Sequence, residues 1–191
     1  MQIYTKSTSF NSDIHTPVEL YMSLRNHYRK TCLLESNDYH SRSDSKSFIG
    51  LEPIIELKLE NNQLTIISES TFKTIELNQD SSYSIQIQEV INSFQYEKEL
   101  NSYNGFFGRI GFEFALFDEN QIEKKESSLS IPDVHLFLFK YVIVIDHFKD
   151  NGTIVSNSLT PDSNDELEIE TLLYKRPFTD HKKNLRHSYH V

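Results

Sequence analysis

Short segments with apolar residues between polar ones predict several β-strands along the chain. Residues 2–10 predict a first strand, residues 31–36 form a short apolar run that ends in polar residues, and another strand begins at Phe48. Residues 105–117 and 135–148 are instead almost continuously aromatic and β-branched. We expect these two segments to be central strands covered on both faces.

A hairpin is predicted over residues 55–67, where aliphatic residues alternate with polar ones around Asn61-Asn62. Asparagine tolerates the positive φ values that a two-residue turn requires. The resulting register pairs Leu59 with Leu64 and Leu57 with Ile66, which places these aliphatic residues on one face.

Two helices are predicted between the strands. Thr16 is suited to cap a helix that begins at Pro17, with Glu19 at the capping-box position. The spacing of apolar residues predicts that this helix buries one face, formed by Val18, Tyr21, Leu24 and Tyr28. A second amphipathic helix is predicted to bury Ile87, Val90, Ile91 and Phe94.

A short third helix is predicted near the end, capped by Ser163 and Glu166 and carrying Ile169, Leu172 and Leu173. Hairpins mixed with few helices indicate an α+β fold with mostly antiparallel sheet. We expect one domain over residues 1–160, followed at 161–191 by the short helix and a basic linker or tail.

Charge and composition narrow the possible partners. The chain has 191 residues, a net charge of −9 and a single cysteine, Cys32. An acidic chain is disfavoured as a binder of nucleic acid or of an anionic membrane. No internal disulfide is possible, the first twenty residues lack a signal-peptide core, and the longest apolar run, 136–145, is broken by Lys140. We therefore expect a soluble cytoplasmic protein.

Catalytic and metal-binding patterns are weak. The histidines nearest to a ligand spacing, His181, His187 and His190, lie in the basic tail and lack an accompanying motif. Gly105, Gly108 and Gly111 are spaced inside a strand-like segment, which favours close backbone approach over phosphate binding. Neither a nucleophile motif nor a paired acid and base, such as Glu35 with Glu113, is evident. We expect no catalytic residue and no metal site.

One polar cluster has the chemistry of an amino-acid site. Glu35 and Ser36 end a strand, and Lys46 begins the return to the core. A carboxylate can bind an α-ammonium group, while an ammonium and a hydroxyl can bind an α-carboxylate. The alternative is a solvated loop with an incidental ion pair, which stabilises by only about 0–1 kcal/mol.

Five segments, at 16–18, 33–36, 47–53, 105–108 and 132–147, follow one another in a recognisable order. Together they resemble the N-terminal domain of anthranilate synthase component I over residues 1 to about 160. Members of this family convert chorismate and ammonia, which a glutamine amidotransferase subunit supplies, into anthranilate and pyruvate. The resemblance implies that Glu35, Ser36 and Lys46 bind the feedback inhibitor L-tryptophan.

The resemblance also implies what this sequence lacks. The family's active site and its Mg²⁺ lie in a C-terminal chorismate-binding domain, for which we find no motif here. We therefore expect a truncated, regulatory portion without cofactor or activity, in which residues 1–191 bind L-tryptophan weakly or not at all. Local departures from the family pattern are Asn104 for a usual glycine, Arg109 for an aromatic residue and Glu113 for a common aspartate.

Two alternatives stay open at this stage. The first is the equivalent portion of p-aminobenzoate synthase component I, which shares the fold; Glu35 together with Lys46 favours anthranilate synthase. The second is a free-standing ligand-binding or interaction module without enzyme activity, with which the basic tail at 175–191 is compatible.

Overall fold

The described residues form a curled, mostly antiparallel sheet and two helices, which confirms the α+β prediction. The computed structural model describes residues 1–13, 16–35, 45–78, 81–96, 103–112, 114, 131–161 and 169. Its strands are β1 (Tyr4–Asn11), β2 (Thr31–Glu35), β3 (Lys46–Glu60), β4 (Gln63–Ser68), β5 (Phe72–Glu76), β6 (Phe107–Ile110), β7 (Val134–Asp146) and β8 (Asn151–Ser158). Its helices are α1 (Pro17–Leu24) and α2 (Tyr83–Asn92).

Two long antiparallel strands, β3 and β7, organise the sheet. The strand order is β1-β8-β7-β3-β4-β5. β2 pairs with the beginning of β3, and β6 pairs with the beginning of β7. The beginning of β3 thus lies between β2 and the end of β7, and this corner of the sheet carries the candidate site.

The β3–β4 hairpin has the predicted turn and register. Asn61 and Asn62 have φ values of 50° and 65°. Leu59 pairs with Leu64, and Leu57 pairs with Ile66. The turn residues and the alternation of aliphatic residues determine the same register, so this local prediction is confirmed.

Helix α1 begins as predicted, and Leu24, Tyr21 and Tyr28 of the predicted face pack in one core cluster, but Leu20 is buried there in place of Val18. Thr16 caps the helix by accepting a hydrogen bond from the backbone N–H of Glu19 at 3.2 Å. Val18 is 49% exposed, whereas Leu20 and Leu24 are buried. Leu20 begins an equally regular i, i+4 stripe with Leu24, and the contact of that stripe with the sheet decides the orientation.

Helix α2 packs as predicted. Ile87 in α2 and Phe94, which lies just after the helix, are buried in one hydrophobic cluster. Val90 and Ile91 pack against that cluster. Ile169 is also buried, in the cluster that contains Leu20 and Leu24. The predicted cap of the third helix, Ser163 and Glu166, and the basic tail lie outside the described residues.

Only one of the two predicted central strands is central. Residues 135–148 correspond to β7, which is buried and paired along both edges. The prediction for 105–117 is wrong, because β6 covers only Phe107–Ile110 and Phe112 is 86% exposed. An aromatic run does not reveal from sequence alone whether both its faces will be covered.

Gly108 explains how β6 lies against β7. A Cβ added at Gly108 would lie 2.1 Å from the backbone oxygen of His135 and 2.9 Å from Cα of Leu136. This position therefore requires close backbone approach, which confirms the structural interpretation of Gly108.

Candidate functional site

The candidate site contains an ion pair across the two central strands. Lys46 is the first residue of β3, Asp146 is the last residue of β7, and the two are partners in the strand register. Lys46 Nζ lies 3.9 Å from Asp146 Oδ2. The two side chains are 22% and 12% exposed, so the pair is accessible but largely shielded.

The turn after β7 holds the Asp146 carboxylate in place. Asp146 Oδ1 accepts hydrogen bonds from the backbone N–H groups of Phe148 at 3.1 Å and Lys149 at 3.0 Å. Burial raises the pKa of Asp146, but these donors and the ammonium groups of Lys46 and Lys149 outweigh burial and lower it overall. Asp146 is therefore ionised at neutral pH.

Glu35 and Lys46 do not share a face of the sheet. Glu35 ends β2, is exposed, and pairs with Ser47, the neighbour of Lys46. Paired residues project from the same face, and successive residues project from opposite faces. Glu35 therefore projects from the face opposite to that of Lys46. Ser36, the third predicted site residue, lies outside the described residues.

The two faces differ in chemistry at this corner. The Lys46 face, defined here by Lys46, Phe48, Val144 and Asp146, also carries Leu34, which pairs with Phe48. Leu34 is 42% exposed and Phe48 is half-buried. An apolar surface thus lies directly beside the ion pair.

The opposite face contains a serine–histidine contact. Ser47 Oγ lies 2.8 Å from His147 Nε2. Ser47 is fully buried, so its hydroxyl is not accessible to a substrate in this conformation. The hydrogen bond joins the beginning of β3 to the turn after β7 and has a structural role.

A second polar cluster lies further along β3. The Glu56 carboxylate contacts the Lys30 ammonium, and Glu56 Oε1 lies 2.6 Å from His135 Nε2. Burial raises the pKa of Glu56, but the Lys30 and His135 contacts outweigh it and lower the pKa overall. The cluster borders a cavity of about 340 Å³ that is also lined by Arg29 and Glu52. No sequence motif predicts this cluster, because Lys30, Glu56 and His135 come from separate segments.

The described part of the chain contains neither a cluster of metal-binding side chains nor a membrane-spanning helix. No group of three or more His, Cys, Asp or Glu residues there could hold a metal ion. Among the described helices, neither length nor hydropathy suffices for a membrane span. His181, His187 and His190, and also Glu113, lie outside the described residues.

Comparison with solved structures supports the resemblance found in the sequence. The chain is similar to the N-terminal part of anthranilate synthase component I from Streptococcus pneumoniae TIGR4, with a TM-score of 0.50 and 26% sequence identity. The match covers 87% of this chain but only 37% of the solved chain. No protein-family model matches the sequence, and no curated protein matches it.

Proposed function

We propose that this chain is the counterpart of the N-terminal, regulatory portion of anthranilate synthase component I and supplies part of an L-tryptophan site. The observation that supports this most is the structural match over 87% of the chain. The shielded Lys46–Asp146 pair beside an apolar surface is suited to a ligand with a charged end and an aromatic end.

Lys46 is the described residue on which the ligand proposal depends most. Its ammonium, together with the Ser36 hydroxyl, would bind the α-carboxylate of tryptophan by charge-assisted hydrogen bonds. Glu35 was expected to bind the α-ammonium group. Its side chain projects from the face of the sheet opposite to that of the Lys46 side chain.

Catalysis would belong to the rest of a longer assembly. A chorismate-binding domain with its Mg²⁺, supplied with ammonia by a glutamine amidotransferase subunit, would form anthranilate and pyruvate. L-Tryptophan would inhibit the reaction by preferring one arrangement of the two domains, because only differential affinity shifts such an equilibrium. We propose a cytoplasmic assembly of this kind.

Binding to this chain should be weak. A site that lacks one wall loses the buried aromatic contacts that contribute most of the affinity. Of the two outcomes expected from the sequence, weak binding and no binding, we propose weak binding, with a dissociation constant on the order of 1 mM, which corresponds to about −4 kcal/mol.

The proposal is tested by titrating ¹⁵N-labelled residues 1–191 with L-tryptophan and following the backbone amide signals. Saturable shifts centred on Lys46 and Phe48, with little change on adding L-alanine, are expected. The absence of such shifts at about 10 mM ligand, ten times the expected constant, would overturn the tryptophan-site proposal. That result would favour the p-aminobenzoate relative or an interaction module.

An activity assay tests the regulatory assignment independently. With chorismate, an ammonium salt and Mg²⁺, the chain alone should form no anthranilate. Anthranilate fluorescence that rises in proportion to the concentration of the chain would contradict a non-catalytic role.

A further inference from the structure

We infer that Asp146 binds the α-ammonium group of the amino-acid ligand, an inference that rests on the proposed function. A ligand that contacts the Lys46 side chain lies on the Lys46 face, and the Glu35 side chain projects from the other face. Asp146 is the register partner of Lys46 and supplies a carboxylate on the correct face. It is also ionised at neutral pH, as an ammonium partner must be.

Among the described residues, the backbone donors that hold Asp146 occupy only one of its two carboxylate oxygens. Oδ1 is occupied by the N–H groups of Phe148 and Lys149, which fixes the orientation of the carboxylate. Oδ2 faces Lys46 Nζ at 3.9 Å, a distance longer than the roughly 2.7–3.2 Å of a direct hydrogen bond. The cation and the anion therefore attract one another while each keeps hydrogen-bonding capacity for a ligand.

The surface beside the pair suits the rest of the ligand. Phe48 lies one same-face position beyond Lys46 on β3, which is about 7 Å at the usual rise of a strand, and Leu34 lies beside Phe48 on the neighbouring strand β2. An α-amino acid with both charged groups on Lys46 and Asp146 can therefore place an aromatic side chain on Leu34 and Phe48. The site should select zwitterionic α-amino acids with a large apolar side chain.

The test compares two ligands that differ only in the ammonium group, L-tryptophan and indole-3-propionate. In Asp146→Asn the side-chain carbonyl can still accept from Phe148 and Lys149, so the turn is preserved. This variant should weaken L-tryptophan binding by about tenfold or more and leave indole-3-propionate binding within about twofold.

Two further variants serve as comparisons. Lys46→Met should weaken the binding of both ligands. Asp150→Asn, an exposed change in the same turn, should affect neither.

The outcomes separate this inference from the proposed function. If wild-type protein binds L-tryptophan and Asp146→Asn leaves that affinity unchanged, or lowers both affinities equally, the inference is wrong while the tryptophan site stands. If wild-type protein does not bind L-tryptophan, the proposed function fails and the inference fails with it.

A measurement on the wild-type protein avoids any folding defect of the variant. The ¹³C signal of the Asp146 carboxyl should shift on adding L-tryptophan and should not shift on adding indole-3-propionate. Equal shifts with the two ligands would also overturn the inference.

Discussion

The side chains of Glu35 and Lys46 project from opposite faces of one sheet, although Glu35 lies across from the immediate neighbour of Lys46. The antiparallel register between β2 and β3 fixes this relationship. It separates two residues that sequence motifs place in one ligand site, and it draws attention to Asp146, which shares a face with Lys46.

Glu56 should stabilise the fold in a pH-dependent way. Because its pKa in the folded chain lies below its usual value of 4.5, its contribution is complete above that value and is lost as the pH falls through the folded pKa. Glu56→Gln should lower the free energy of unfolding by about 1–2 kcal/mol at pH 7 and by much less at about pH 3. Urea unfolding at the two pH values measures this.

The control for Glu56 is Glu69→Gln, the same change at an exposed position that lines the same cavity. It should alter stability by less than about 0.5 kcal/mol at either pH. A Glu56→Gln effect that is equally large at both pH values would show that the lost contacts are not ionic.

Asn104 should stabilise the segment that leads into β6 through a reciprocal amide pair with Asn157. Asn104 Nδ2 donates to Asn157 Oδ1 at 2.7 Å, and Asn157 Nδ2 donates to Asn104 Oδ1 at 2.9 Å. Asn104→Gly introduces the glycine that is usual in the resembled family. Because Asn157 is only 2% exposed and loses a hydrogen-bonding partner, this change should lower the free energy of unfolding by about 1–3 kcal/mol.

A double-mutant cycle with Asn157→Ala isolates that pair. Chemical unfolding of the two single variants and the double variant should give a coupling energy of about 1 kcal/mol or more. A coupling energy near zero would mean that the two amides contribute independently.

Gly108→Ala should be far more disruptive than Gly105→Ala. The two glycines have similar φ values, 159° and 154°, so backbone strain is matched. At Gly108 the new Cβ would meet the backbone of His135 and Leu136, whereas at Gly105 it would meet nothing within 4 Å. Gly108→Ala should lower the free energy of unfolding by about 1–3 kcal/mol more than Gly105→Ala does, as measured by thermal or urea unfolding. Equal losses would contradict the close packing of β6 on β7.

Local chemistry accounts for the features that the sequence predicts correctly. Thr16 caps α1 and Asn61-Asn62 closes the hairpin, because each depends on residues within a few positions. The predicted strand at 105–117 was too long because coverage of its second face depends on tertiary packing. The pairing of Lys46 with Asp146 joins distant segments, so neither residue signals the other in the sequence.

The most direct test of the tryptophan-site assignment is the L-tryptophan dissociation constant of Lys46→Met, with Lys58→Met as the matched control at the other end of β3. Both variants lose one partly exposed lysine that is paired with a carboxylate. The account predicts that Lys46→Met raises the dissociation constant by about tenfold or more, while Lys58→Met leaves it within about twofold. Equal affinity of wild type and Lys46→Met would contradict the assignment.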